Sequence, residues 1–240
     1  MRQSMVVVCA LFAVAARADT FGDVKSAVGR LTARQAVRAT YASEVKVKAS
    51  GKFANEASVR TISIEVAHDA NGITIAVPQA LVEKASRASD DAARNAVDSI
   101  RGMAIVEALD YRGALLHMLN FATVVEEKRV AFRGKPARLL VLALKVPPRK
   151  DNSIVIGSVK TAEDRLNLWI GDDNLPLAAE RTTKTTAGFL LFHSDTQERT
   201  SMTFAQAADR LILSRYETSA TGSGMGQNIA ETEVQTVTVH

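Results

Sequence analysis

Leu166-Asn167-Leu168-Trp169-Ile170-Gly171-Asp172-Asp173-Asn174-Leu175-Pro176-Leu177 decides the fold of this chain. The apolar run at Leu166–Ile170 has strand character. Gly171–Asn174 carries turn residues, and Leu175-Pro176-Leu177 opens a second strand. Two strands joined by so short a turn, with no helix between them, must run antiparallel. A parallel α/β chain would alternate strand and helix throughout.

Working toward the C-terminus, further strands are expected at Gly188–Phe192, Thr200–Phe204, Arg210–Thr218 and, after a Gly-rich turn, Asn228–Val239. On the other side, Arg133-Gly134-Lys135-Pro136 punctuates a hairpin between Val124–Phe132 and Arg138–Val146. The second arm is apolar on both faces at its start, as in a central strand. Pro147–Asn152 is a polar loop. Upstream, helical spacing runs from Pro78 through Leu81, Ala85, Ala88, Ala92, Ala96, Ile100 and Met103, with a bend expected at Gly102. Asp110–Phe121 is a further helix carrying Leu115, Leu116 and Leu119. Before these, Val37–Lys48, Val59–Val66 and Ile73–Val77 alternate with period two around the turn Asp69-Ala70-Asn71-Gly72. Asp23–Leu31 is a short helix with Asp23 as its cap and Val24, Ala27, Val28 and Leu31 on one side. The order helix, strands, helices, strands gives one α+β domain, a large antiparallel meander covered on one face by the central helices.

The first eighteen residues stand apart. Arg2 precedes an uninterrupted apolar run, Met5–Ala16, and Ala16-Arg17-Ala18 offers small residues at both positions of an A-x-A site. That is the pattern of a secretory signal peptide cut after Ala18, which leaves residues 19–240 as a single exported domain, periplasmic or secreted. The chain has 240 residues and a formal net charge of +4. Arg2 and Arg17 fall in the leader, so 30 basic residues become 28 against an unchanged 26 acidic, and +4 becomes +2. The lone cysteine, Cys9, leaves with the leader, so the exported chain has neither a disulfide nor a Cys ligand for zinc. No later apolar run approaches the ~20 residues of a membrane span. No basic cluster with interleaved aromatics supports nucleic-acid binding.

Chemistry-bearing motifs are few. Gly222-Ser223-Gly224-Met225-Gly226-Gln227 precedes a strand, not a helix, so it is a hairpin connection and not a phosphate loop. Thr221 and Met225 occupy the glycine positions that a nucleophile elbow around Ser223 would require. His68, His117, His193 and His240 have no metal-binding spacing. His68-Asp69 and His193-Ser194-Asp195 are expected as solvated turns, and Asp172-Asp173-Asn174 as a hairpin turn. Asp90-Asp91 and Glu126-Glu127 are neighbours in sequence and so point apart. Trp169 and Phe121 are expected in the core. No cofactor and no catalytic set emerges.

The element order, and the Leu166–Leu177 stretch continued through Ala178-Ala179-Glu180, resemble the periplasmic outer-membrane lipoprotein carriers and their relatives, with Asp209-Arg210-Leu211 compatible downstream. The resemblance implies an unclosed antiparallel half-barrel with helices as a lid over an apolar concave face. It also implies a non-enzymatic protein that binds acyl chains or other hydrophobic ligands, or senses a partner. On that expectation the ligand lining is Ile62, Ile64, Val66, Leu142, Leu168 and Leu190 from strands, with Ile100 and Met103 from the lid. The rival readings are an envelope scaffold whose interior is simply filled core, and a secreted hydrolase. The hydrolase would need His193, Asp195 and Ser223 to converge.

Overall fold

A computed structural model describes residues 19–51, 55–87, 97, 100, 102–145, 158–189, 192–224 and 227–240. Ten strands form one sheet: β1 (Val37–Gly51), β2 (Asn55–Asp69), β3 (Gly72–Ala76), β4 (Ala122–Phe132), β5 (Lys135–Leu144), β6 (Ser158–Ile170), β7 (Pro176–Phe189), β8 (Phe192–Ala207), β9 (Arg210–Gly224) and β10 (Gln227–Val239). The helices whose bounds lie among the described residues are α1 (Thr20–Arg30), α2 (Gln79–Ala85), α3 (Gly102–Leu109) and α4 (Arg112–Asn120). The spatial order is β3-β2-β1-β10-β9-β8-β7-β6-β5-β4, antiparallel at every step. Its two ends, β3 and β4, do not pair, so the sheet stays an open half-barrel with the helices over one face.

Apolar alternation explains what holds it. Ala39, Tyr41, Ile64, Leu140, Leu142, Leu166, Leu168, Ala179, Met202 and Val237 point to one face, where Val24 and Val28 of α1, Ile105 and Leu109 of α3, and Leu115 and Leu119 of α4 meet them. Each fully buried Leu contributes roughly 1.5–3 kcal/mol of hydrophobic stabilisation. This packing occupies only about half of each long strand. Beyond Ser43, Asp164, Thr183, Glu198 and Thr218 the strands continue as a distal apron that carries polar side chains on both faces, with Val45, Val47 and Ile229 interspersed.

Several boundaries depart from the sequence reading. Helix α1 starts at Thr20, because Asp19, not Asp23, caps it by accepting a bond from the Gly22 amide at 3.1 Å. The helix after Pro78 ends at Ala85, and residues 88–96 lie outside the described set. Gly102 begins α3 and does not bend a longer helix. The next helix spans Arg112–Asn120, leaving Asp110 and Tyr111 in the connection, with the Tyr111 amide bonded to the Leu211 carbonyl at 2.8 Å. β5 is interior but only one strand from the edge. Gly188–Phe192 is no strand of its own, since β7 runs on to Phe189 and β8 begins at Phe192. The β-branched threonines Thr182, Thr183, Thr185 and Thr186 extend β7 without any apolar alternation to announce it. The expected polar loop Pro147–Asn152 lies outside the described residues. The Gly171–Asn174 turn forms as expected, with Asn174 at φ 64°, as does Arg133–Gly134 at φ 50° and 79°.

Candidate functional site

The expected ligand lining falls into three groups. Ile62, Ile64, Val66, Leu142 and Leu168 come together in the core, at 5%, 2%, 3%, 0% and 0% exposure. Ile100 packs against that core from outside the described helices. Met103 sits in α3 with its side chain outside the described set, and Leu190 lies outside it altogether. The space over the five core residues is taken by side chains of α1, α3 and α4.

Where the helices end, the inner face turns polar and is closed by its own contacts. Arg181 grips Asp164 through two bonds, Nε to Oδ1 at 2.8 Å and Nη2 to Oδ2 at 2.7 Å, with the Asp164 side chain only 7% exposed. That pairing holds the Arg181 guanidinium above its ordinary value. Thr200 donates to Glu198 at 3.1 Å and lies 3.2 Å from the Thr218 hydroxyl. Burial pushes the hydroxyls of Tyr111 and Tyr216 upward, so both stay protonated at physiological pH. The groups of this belt are largely matched to one another. It joins core to apron.

The apron's opposite face carries a groove of about 650 Å³. It crosses five neighbouring strands, β1, β10, β9, β8 and β7. Because side chains alternate, residues an odd number of steps from the core positions Tyr41, Val237, Tyr216, Met202 and Ala179 face away from the helices. These include Lys48, Ser50, Asn228, Ala230, Thr221, Ser223, Asp195, Gln197, Thr186 and Lys184, all of which line the groove. Its lining is therefore chiefly short hydroxyl and amide side chains between two lysines, with Asp195, Ala230 and the exposed Ile229 among them. Strands about 4.8 Å apart set the width at about 19 Å from β1 to β7. Lys184 is held by Glu163 at 3.0 Å, while Lys48 has no ion-pair partner among the described residues. Asp195 accepts from the Thr186 hydroxyl at 3.0 Å.

Asp195 and Ser223 stand directly opposite each other across β8 and β9. The side chain of His193 is outside the described set. Contrary to expectation, His68 is no solvated turn residue: its Nδ1 lies 2.9 Å from Nη1 of the buried Arg210. Trp169 is not in the core either. It lies on the face away from the helices, half-buried against Phe132 at 5.7 Å between centroids. Counting apolar residues finds strands but does not say which face a lone aromatic takes. Among the described residues no group of three or more His, Cys, Asp or Glu is placed to hold a metal ion. None of their helices is long and apolar enough to cross a membrane.

The groove was missed in the sequence because its members are ordinary polar residues, scattered from Lys48 to Ala230 and gathered only by the strand order. No family model and no curated protein matches the chain. Among solved structures, the chain is similar to one from the crystal structure of MucB in complex with MucA(peri). That likeness has 11% identity, covers 92% of this chain and 93% of that one, and has a TM-score of 0.19. The fold assignment stands on the strand order itself.

Proposed function

We propose that this chain is an exported, non-enzymatic binding protein of the cell envelope that grips a polypeptide segment of a partner in the distal groove. The observation that carries this reading is the contrast between the two faces. The interior beneath the helices is occupied by the chain's own leucines and isoleucines, whereas the polar groove is open and of ligand-binding size. Ser50, Thr186, Gln197, Thr221, Ser223 and Asn228 both donate and accept hydrogen bonds, which suits an extended main chain laid across them. Lys48, without an ion-pair partner among the described residues, offers its ammonium to an acidic side chain of that segment. An acyl ligand would instead have to displace side chains such as Leu142 and Leu168 from contact with α3 and α4.

A photo-crosslinking residue placed at Asn228 or Thr221 of the exported protein tests it. The expected result is an adduct with one envelope polypeptide, absent when the probe stands at Asp172 in the opposite hairpin and lost on Lys48→Glu. Co-purifying acyl chains, displaced by a fluorescent fatty acid with no polypeptide adduct, would replace this reading with the interior one. Neither adduct nor acyl chain would leave the groove without a binding role.

A further inference from the structure

Among the described residues, strand β4 ends the sheet and has a neighbour on one side only. Thr123 through Arg129 are all exposed, Val124 and Val125 to 40% and 65%. Such a strand presents a row of main-chain donors and acceptors to any extended chain. At the other end of the sheet, β3 has only five residues, against eleven in β4. The β4 edge reads Glu126-Glu127-Lys128-Arg129, acids before bases, and a strand with that order is complementary to a reversed copy of itself.

Residues directly opposite in an antiparallel pair share a face, so the two-fold axis must fall on a residue. Placed at Lys128, it sets Glu127 against Arg129 of the second copy, and Arg129 against that copy's Glu127. Glu126 then meets Val130, and the exposed Val124 and Val125 run toward Ala131 and Phe132. This register uses Glu126–Val130, clear of the bulge between Val124 and Glu126. The central Lys128 is already held by its own Glu126 at 3.0 Å, which blunts its approach to its symmetry mate. Arg129 makes no ion pair among the described residues, and Glu127 uses only Oε1, accepting from the Thr20 hydroxyl at 2.7 Å. We propose that two copies of this chain associate through β4, antiparallel about Lys128, so that two ten-stranded sheets become one. The charges select a strand of the same pattern and repel an all-acidic or all-basic one.

An edge-to-edge contact of this length is small, so the dimer should be weak and salt-sensitive. Sedimentation velocity of the full exported chain across rising concentration reads it directly. Wild type should double in mass. Glu127→Arg and Arg129→Glu should each lose affinity on the order of ten-fold by setting like charges opposite. The double variant Glu127→Arg/Arg129→Glu should recover the dimer, and an equimolar mixture of the two single variants should form only the heterodimer. Arg129→Lys should keep the dimer. Circular dichroism checks each fold. If Glu127→Arg fails to fold through loss of the Thr20 bond, Arg129→Glu, at a side chain with no ion pair among the described residues, still decides. A wild-type chain monomeric throughout, an Arg129→Glu chain dimerising like wild type, or a mixture without heterodimer would each overturn the proposal.

Discussion

Arg210 is 1% exposed, yet the bonds it makes are to a carbonyl and an imidazole: Nε donates to the Gln35 oxygen at 2.9 Å and Nη1 approaches His68 Nδ1 at 2.9 Å. Guanidinium can only donate, so His68 Nδ1 accepts and the ring is neutral, with its proton on Nε2. Burial is the main reason the His68 pKa lies below 6.5. The Arg210 charge adds to it, and Asp110 and Asp69 oppose it. Because the folded value is lowered, the unfolded chain takes up a proton first as the pH drops. The stabilisation is therefore complete above pH 6.5 and is lost as the pH falls from there toward the folded value. Urea midpoints are expected to be flat above pH 7 and to decline as the pH falls below 6.5, with His68→Gln removing that decline. Identical slopes for the two chains would show that His68 does not carry it. Asp209 works in the same corner, held down to about 2 chiefly by the Thr32 hydroxyl, with the Arg34 and Gln35 amides adding to it. Asp209→Asn should lower the melting temperature at pH 7 and converge with wild type near pH 2, where the native carboxylate is protonating as well. Melting curves at the two pH values check it.

Helices differ in what they bury, and substitutions should sort them. Leu115 and Leu119 of α4 are fully buried over the sheet, so changing either to Ala should cost about 2–5 kcal/mol. No residue of α2 is buried and Val82 is 43% exposed, so Val82→Ala should stay within about 0.5 kcal/mol. Denaturant titration of the variants measures both, and equal losses would mean that α2 is as integral as α4. Legibility follows the same line. Leu115 and Leu119 were readable because helical spacing and burial coincide there. The turns at Asp69–Gly72 and Gly171–Asn174 were readable because Gly72 and Asn174 supply the positive φ those turns need. The sequence pattern puts the α1 cap four residues late because Asp19 and Asp23 carry the same side chain, and only the accepted Gly22 amide separates them. Strand ends were lost wherever polarity stopped alternating, as in Thr182–Thr186 and in Gly222 and Gly224, which belong to β9 and not to a loop.

At the scale of the whole molecule, sequence could give the meander but not the pairing of its first long strand with its last. Strand β1 pairs with β10 over thirteen positions, Ala39 with Val239 through Gly51 with Gln227. Nothing local in either strand names a partner two hundred residues away. That pairing places Lys48 beside Asn228 and Ala230, and so assembles the groove that no motif announced. It also divides every long strand into a half packed under helices and a half held by main-chain bonds and surface ion pairs such as Lys184–Glu163 and Arg199–Glu180, which contribute little in water. Protection from hydrogen exchange should therefore fall along each strand and not from strand to strand. Amides of Leu140–Leu142 and Leu166–Ile170 should exchange only on global unfolding. Those of Thr183–Thr186, Thr196–Gln197 and Thr221–Ser223 should open locally and exchange at least 100-fold faster, a gap of about 2.7 kcal/mol. Exchange followed by mass spectrometry resolves the two halves of β7 within overlapping peptides. Uniform protection along β7 would mean that the apron is as rigid as the core and that the groove is a preformed cleft. A steep gradient would mean instead that the groove is built in the part of the sheet least costly to reshape around a partner.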